Sequence, residues 1–296
     1  MVVTRTDVVR ETAFEKWFRY KLSSGLLWLQ NHRRLSADND LPQDSWIIAP
    51  HPDDEVLGCG GAILRKRALG ANIRIVFLTD GGASHPGVIP YDELCARRRA
   101  EATNACNALD VPSDHVFFLG LPDGALMQHV DECATKLAAL FAPYETSQFF
   151  VPDRLEPPSD HKAAWYAVLG AIGKLRRPAR LLGYAVWCWD RWPFVPIERR
   201  GDALRRLLRR FKDLMLATRW LVGCRVWIEI SSLLDAKKIA LEHHASQMHG
   251  ISEAAEGSTL LAQKNGAFIE QLLRPYEIFS LTSIDAALTL KSHENE

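Results

Sequence analysis

The sequence lacks any apolar run approaching the ~20 residues that a membrane-spanning helix needs, so no segment is expected to cross a bilayer. It also lacks a net charge, with 36 Lys and Arg against 36 Asp and Glu among 296 residues. A chain so balanced has no whole-molecule bias toward a polyanion, and no nucleic-acid partner is expected. Paired cysteines are missing too. The six cysteines, at 59, 95, 106, 133, 188 and 224, include no C-x-x-C spacing, and a chain of this length does not need disulfide staples. They are expected to be reduced thiols. Met1 to Thr12 holds no apolar core and carries Arg5, Asp7, Arg10 and Glu11, so no secretory signal is expected there and the protein reads as cytoplasmic. Repeats and low-complexity tracts are absent as well.

What is present is an ordinary globular composition, 47% hydrophobic and 24% charged, sufficient for one elaborated domain rather than two equal ones. Phe14, Trp17, Phe18, Leu22, Leu26, Leu27 and Leu29 recur near helical spacing among Lys16, Arg19 and Lys21. They predict a helical appendage which, with a linker rich in Asp and Asn, fills residues 1–45. The main domain then runs over 46–296. Strands are expected over Trp46–Pro50, Ile73–Thr79, Val116–Leu119, Phe149–Val151 and Leu181–Val186. Helices over Gly60–Leu69, Glu93–Leu109, Val130–Phe141 and Lys162–Leu175 alternate with them. That alternation implies βαβ units and a mostly parallel sheet, an α/β fold whose site lies beyond the carboxyl ends of the strands.

His51-Pro52-Asp53-Asp54-Glu55 follows the first strand directly. Three carboxylates crowded into one turn repel one another unless a cation or a proton resolves the repulsion. Zinc suits an imidazole and a carboxylate, and a catalytic zinc takes three protein ligands and a water. His51 and Asp54 are close enough to reach one ion, leaving Asp53 beside the water. The third ligand is expected from another strand end, where Asp160-His161 opens a helix. His161 is the candidate ligand, with Asp160 placed to orient an imidazole. The other reading of Asp-Asp-Glu is a helix N-terminus favoured by the dipole, and Glu55 suits that role. A dinucleotide fingerprint at Gly58-Cys-Gly60-Gly61 is incomplete, because Ile63 stands where its third glycine belongs.

The run Pro50-His51-Pro52-Asp53-Asp54-Glu55 resembles the A-H-P-D-D-E hallmark of the LmbE-like/PIG-L family of zinc deacetylases. The resemblance spans about Trp46–Val186 and resumes over about Val226–Ser280. It implies a Rossmann-like three-layer fold and hydrolytic removal of an acetyl group from an N-acetylated amino sugar, mostly an N-acetylglucosaminyl compound, or its glycoconjugate. It implies that His51, Asp54 and His161 bind zinc and that Asp53 is the general base. Arg98 of Arg98-Arg99-Ala-Glu101 and Asp123 of Leu121-Pro-Asp-Gly match residues on the substrate side. His244-Ala-Ser-Gln247 is similar to the family's C-terminal H-x-S-Q element. Iron(II) also suits two histidines and an aspartate.

One position departs from the family. The third-ligand motif is often H-P-D-H, whose first histidine helps polarise the substrate carbonyl, and here Pro158-Ser159-Asp160-His161 replaces it. Proline offers no proton. His244 is the candidate for the vacant role, since a C-terminal histidine serves in some members, across a subunit contact that would make the protein a homo-oligomer. The alternative is that His243 and His244 simply face solvent. Pro158 also leaves room for a non-catalytic or weakly active sugar-binding relative, and a third reading is a hydrolase of another amide or ester.

Two further segments invite a partner. Trp187, Trp189 and Trp192 follow a strand end and suit either sugar stacking or plain core packing. Residues 198–223 combine Arg199, Arg200, Arg205, Arg206, Arg209, Arg210, Lys212 and Arg219 with regularly spaced apolar residues, where the family resemblance lapses. This basic amphipathic insertion, with the N-terminal helix, suits peripheral contact with an anionic membrane. The other reading is two helices packed on the domain with solvated arginine faces.

Overall fold

Trp46, Ile47, Ile48 and Ala49 are wholly buried because β1 (Ser45–Ala49) lies inside a sheet covered on both faces, and their near-continuous apolar run fits that position. The structure is a computed structural model that describes residues 11–31, 41–84, 88–197, 203–251 and 259–285. Its sheet has seven strands in the order β3-β2-β1-β4-β5-β7-β6. The others are β2 (Ile73–Thr79), β3 (Val116–Leu121), β4 (Gln148–Pro152), β5 (Ala179–Tyr184), β6 (Cys224–Glu229) and β7 (Tyr276–Ile284). The five strands expected from the sequence are present and pair in parallel. β7 runs antiparallel to both β5 and β6.

Helices cover both faces. α2 (Asp54–Ala68), α3 (Tyr91–Ala108), α7 (Leu234–Glu242) and α9 (Ala267–Leu272) contribute to one core, which takes Ile47, Ile75 and Phe77 from the strands. α4 (Val130–Phe141) and α5 (Ser159–Leu175) build the other, which takes Trp46, Ile48 and Val76. Adjacent residues of β1 and β2 thus feed opposite cores, as strand geometry requires. The remaining helices are α1 (Ala13–Asn31), α6 (Ala203–Gly223) and the short α8 (Ala245–Met248). α1 lies in the segment expected to be an appendage and α6 in the one expected to be an insertion; Arg199 and Arg200 lie outside the described residues.

The glycines of Gly58-Cys-Gly60-Gly61 serve packing rather than a nucleotide. A Cβ at Gly58 would collide with the Tyr184 ring, and one at Gly61 would lie 2.6 Å from Ile230. They let α2 sit against β5 and the segment after β6. Tyr184 is pinned by its hydroxyl, which donates to the Ile48 carbonyl at 2.8 Å. Gly58→Ala is therefore expected to destabilise the fold by about 1–3 kcal/mol, read as a lower melting temperature. A melting curve matching the wild type would show that the ring can retreat.

Candidate active site

β1 and β4 are neighbours whose continuations depart in opposite directions, β2 and β3 to one side and β5 to the other. Ligand sites in parallel sheets form in the crevice at such a switch point. The chain leaves β1 into His51 and leaves β4 into the loop that ends at Asp160-His161, so both sequence motifs reach this crevice.

The turn after β1 is held in an unusual shape. Asp53 takes φ 115° as it caps α2, a conformation costing a non-glycine residue roughly 1–3 kcal/mol. Its amide donates to Glu55 Oε2 at 3.0 Å, and its carbonyl accepts from Val56 and Leu57. This turn puts Asp54 Oδ2 3.3 Å from His51 Nδ1 and 3.3 Å from His161 Nε2. Ligand atoms of His51, Asp54 and His161 all lie within 4.8 Å of one another.

The donor set fits a cation. His161 is fully buried and neither of its ring nitrogens makes a hydrogen bond, a costly state for polar atoms unless something binds them. The surroundings favour positive charge. Burial disfavours charge on His51, yet the Asp123, Asp160 and Asp54 carboxylates outweigh it and hold the ring well above its ordinary pKa. Burial likewise opposes charge on His161, and Asp54 and then Glu156 raise it to about 9. Burial pushes the Asp53 carboxyl up to about 8, and the Asp54 carboxylate beside it pushes the same way.

Around the trio stands a second ring of carboxylates. Asp160 lies 3.3 Å from His51 Nε2 and is anchored by the amides of Gly124 and Leu126. The imidazole it meets is that of His51 rather than of its neighbour His161. Asp123 lies 3.2 Å from the same nitrogen and accepts from the Ala83 amide. His51, Asp123 and Asp160 also form a compact group, but only the His51–Asp54–His161 group joins a second, fully buried imidazole to its carboxylate. The His51–Asp54–His161 group is the better cation site.

Glu156 was not singled out in the sequence. It is fully buried, sits 3.0 Å from His161 Nδ1 and accepts from the Trp187 and Cys188 amides. Its only sequence signal is an acid five residues before His161, in a segment with two other acids, Asp153 and Asp160.

The H-x-S-Q element joins the site from behind. His243 is exposed but His244 is fully buried, so the solvent-facing reading is wrong for His244. Its Nε2 lies 2.6 Å from Glu55 Oε1, and it is not among the side chains lining the cleft. Ser246 donates to Glu101, while Gln247 donates to Asp53 and to the Pro52 carbonyl. Glu55 thus does more than favour a helix dipole: it braces Asp53 and receives His244.

A cavity of about 390 Å³ opens over this floor, lined by His51, Asp53, Arg98, Asp123, Trp187 and Gln263 among others. Arg98 is fixed by donating to the Gly81 carbonyl at 2.6 Å. Of the three tryptophans only Trp187 lines the cavity, its ring stacked on Phe268 at 5.3 Å. Trp189 and Trp192 are buried, Trp189 edge-on to Phe194 and Trp220, so packing is the correct reading for these two.

Fold and site define an α/β protein whose buried His–Asp–His cluster, at a parallel-sheet switch point, is competent to hold a metal ion. Residues 46–172 match the model of the PIG-L family, described as GlcNAc-PI de-N-acetylase. No curated protein matches the sequence. Among solved structures, the conserved protein TT1542 from Thermus thermophilus is 24% identical, with a TM-score of 0.51, over 80% of this chain and 93% of that one. The N,N'-diacetylchitobiose deacetylase from Pyrococcus horikoshii is 18% identical, with a TM-score of 0.54, over 94% of this chain and 95% of that one. GalB, the 4-carboxy-2-hydroxymuconate hydratase from Pseudomonas putida, is 17% identical, with a TM-score of 0.51, over 81% and 96%. These likenesses show a shared fold. Since that fold also houses a hydratase, the reaction must be argued from the site.

Proposed function

We propose that the protein is a metal-dependent N-deacetylase acting on an N-acetylated amino sugar or its glycoconjugate. The observation that carries this reading is the convergence of His51, Asp54 and His161 beside Asp53, inside the segment that matches the PIG-L family. The diacetylchitobiose deacetylase among the structural neighbours supports the choice of an acetylated sugar.

His51, Asp54 and His161 would hold the ion, with zinc the first choice and iron(II) the second. A dication there polarises the acetamide carbonyl and makes water acidic enough to attack near neutral pH. Asp53 is the general base. It lines the cavity, and Gln247 and Glu55 fix its side chain and backbone, so it is held ready to take a proton from the attacking water and pass it to the leaving amine. A nearby dication favours its ionised form and offsets the burial that otherwise keeps it protonated. Arg98 and Asp123 bind substrate hydroxyls on the cavity wall, and Trp187 offers a ring face to the sugar. His244 acts from behind, as a positioning residue that holds Glu55 and through it the Asp53 turn.

Glu156 lies 3.0 Å from His161 Nδ1 and orients the ring through it, leaving Nε2 for the ion. Glu156→Gln is expected to weaken metal affinity by about 10–100-fold, measured by competition with a chromogenic chelator; an unchanged Kd would remove this role. Pro158 favours the second reading, a weakly active sugar-binding relative, because no imidazole stands at that position. A panel of N-acetyl sugars, unrelated amides and simple esters, scored for released amine or acid, separates the readings. Turnover confined to N-acetyl sugars is expected; turnover of esters alone, or binding without turnover, would reject the deacetylase.

A further inference from the structure

α1 buries Leu27 and α6 buries Ala217, Trp220 and Leu221, yet most of their large apolar side chains face water. A helix on a soluble domain ordinarily turns its apolar stripe to the core and its polar face outward. In α6 the stripe Leu204, Leu208, Phe211, Met215 and Val222 follows the helical repeat and every member is exposed, Phe211 to 63%. The inward side takes Ala217, Trp220 and Leu221 and, with them, Asp213, which pairs with Arg191, and the half-buried Arg210. In α1, Phe14, Trp17, Phe18 and Trp28 are exposed, Phe14 to 69%. Ser23 and Gln30 of α1 are buried, Gln30 donating to the Cys224 carbonyl, and Arg19 reaches the Phe194 carbonyl at 2.8 Å. The two helices are joined by the Arg210–Glu15 ion pair at 3.2 Å. Large apolar surface concentrated on one pair of helices is unusual for a protein facing water alone.

The charge on these helices is one-sided. Arg209, Lys212 and Arg219 are exposed beside the α6 stripe, and Lys16 and Lys21 are exposed on α1. The two acids in these helices, Glu15 and Asp213, are both turned into ion pairs. We propose that α1 and α6 together dock the protein on the surface of an anionic lipid bilayer, lying in its interface. Aromatic and leucine side chains enter the acyl boundary while arginine and lysine meet the headgroups, the division of labour of interfacial amphipathic helices. Nothing spans: among the described residues no helix is long and apolar enough to cross a membrane. A second copy is a poorer occupant. A two-fold contact sets the same surface against itself, and these faces would then oppose arginine to arginine, with no exposed acid on either helix among the described residues.

The test is flotation of the whole chain with phosphatidylcholine vesicles, with and without phosphatidylserine. The wild type is expected to float with the serine-containing vesicles, far less with phosphatidylcholine alone, and to be released by high salt. Arg209→Glu, Lys212→Glu and Arg219→Glu combined are expected to weaken partitioning by roughly a hundredfold or more, at about fivefold per basic residue lost. Phe211→Ser with Met215→Ser is expected to abolish flotation while leaving the melting curve unchanged, since both side chains are exposed. The salt and lipid dependence of the wild type decides the matter if a variant melts early. Absence of wild-type flotation, or wild-type binding by both variants, would overturn the proposal. So would a wild-type dimer that the Phe211 and Met215 changes dissociate with no vesicle binding by either protein. None of these outcomes depends on deacetylase activity.

Discussion

Asp53→Asn is expected to lower kcat by about 10²–10⁴-fold, the usual worth of a positioned general base, while the metal content stays at the wild-type level. The asparagine side chain nearly reproduces the carboxylate in shape and still offers Gln247 an oxygen. It cannot take a proton. The unusual Asp53 backbone, at φ 115°, survives because asparagine tolerates positive φ better than most residues, so the turn should persist. Metal content and kcat measured on one preparation check the claim. Near-normal turnover would move the base elsewhere, and lost metal would make Asp53 a ligand.

The second large effect is expected from Asp54→Ala. Both imidazoles of the trio converge on Asp54 Oδ2, each at 3.3 Å, so its removal deletes one ligand and frees the other two. The change also leaves the His51 amide, which donates to the same oxygen at 3.1 Å, without a partner. Bound metal is expected to fall from one equivalent to a trace, with turnover at background and no rescue by added zinc. Elemental analysis of the purified variant, beside circular dichroism to show an intact fold, reads this out. Full metal occupancy would exclude Asp54 from the coordination sphere.

The parallel half of the fold is legible in the sequence because β1, β2 and β4 are buried along their whole length. A strand closed on both faces is written as an unbroken apolar run. β6 is different: Arg225 and Glu229 are exposed on a strand that otherwise turns inward. Its partner β7 lies some fifty residues on and pairs with β5, about a hundred residues back. No local pattern announces such pairings.

The metal trio is legible for a similar reason, since His51 and Asp54 share one turn and His161 opens a helix directly after a strand end. Its supports are not. Glu156 meets His161 across a loop whose path the sequence does not reveal, and three acids, Asp153, Glu156 and Asp160, compete for the role. His244 shows the limit most clearly. Its motif is readable, but only the packing of α7 and α8 decides that one of two adjacent histidines is sealed against Glu55 while the other faces water. The exposed apolar faces of α1 and α6 are equally out of reach, because periodicity reveals an amphipathic helix without saying which side meets the domain.

The central claim is that a metal ion held by His51, Asp54 and His161 drives amide hydrolysis. The most direct measurement removes the metal with a chelator, returns zinc in substoichiometric steps and follows amine release from an N-acetylglucosaminyl substrate at each step. Activity should vanish on chelation and return linearly, saturating at one equivalent per chain, with no return in the His161→Ala variant. Turnover that survives complete metal removal, or that returns equally in that variant, would contradict the account.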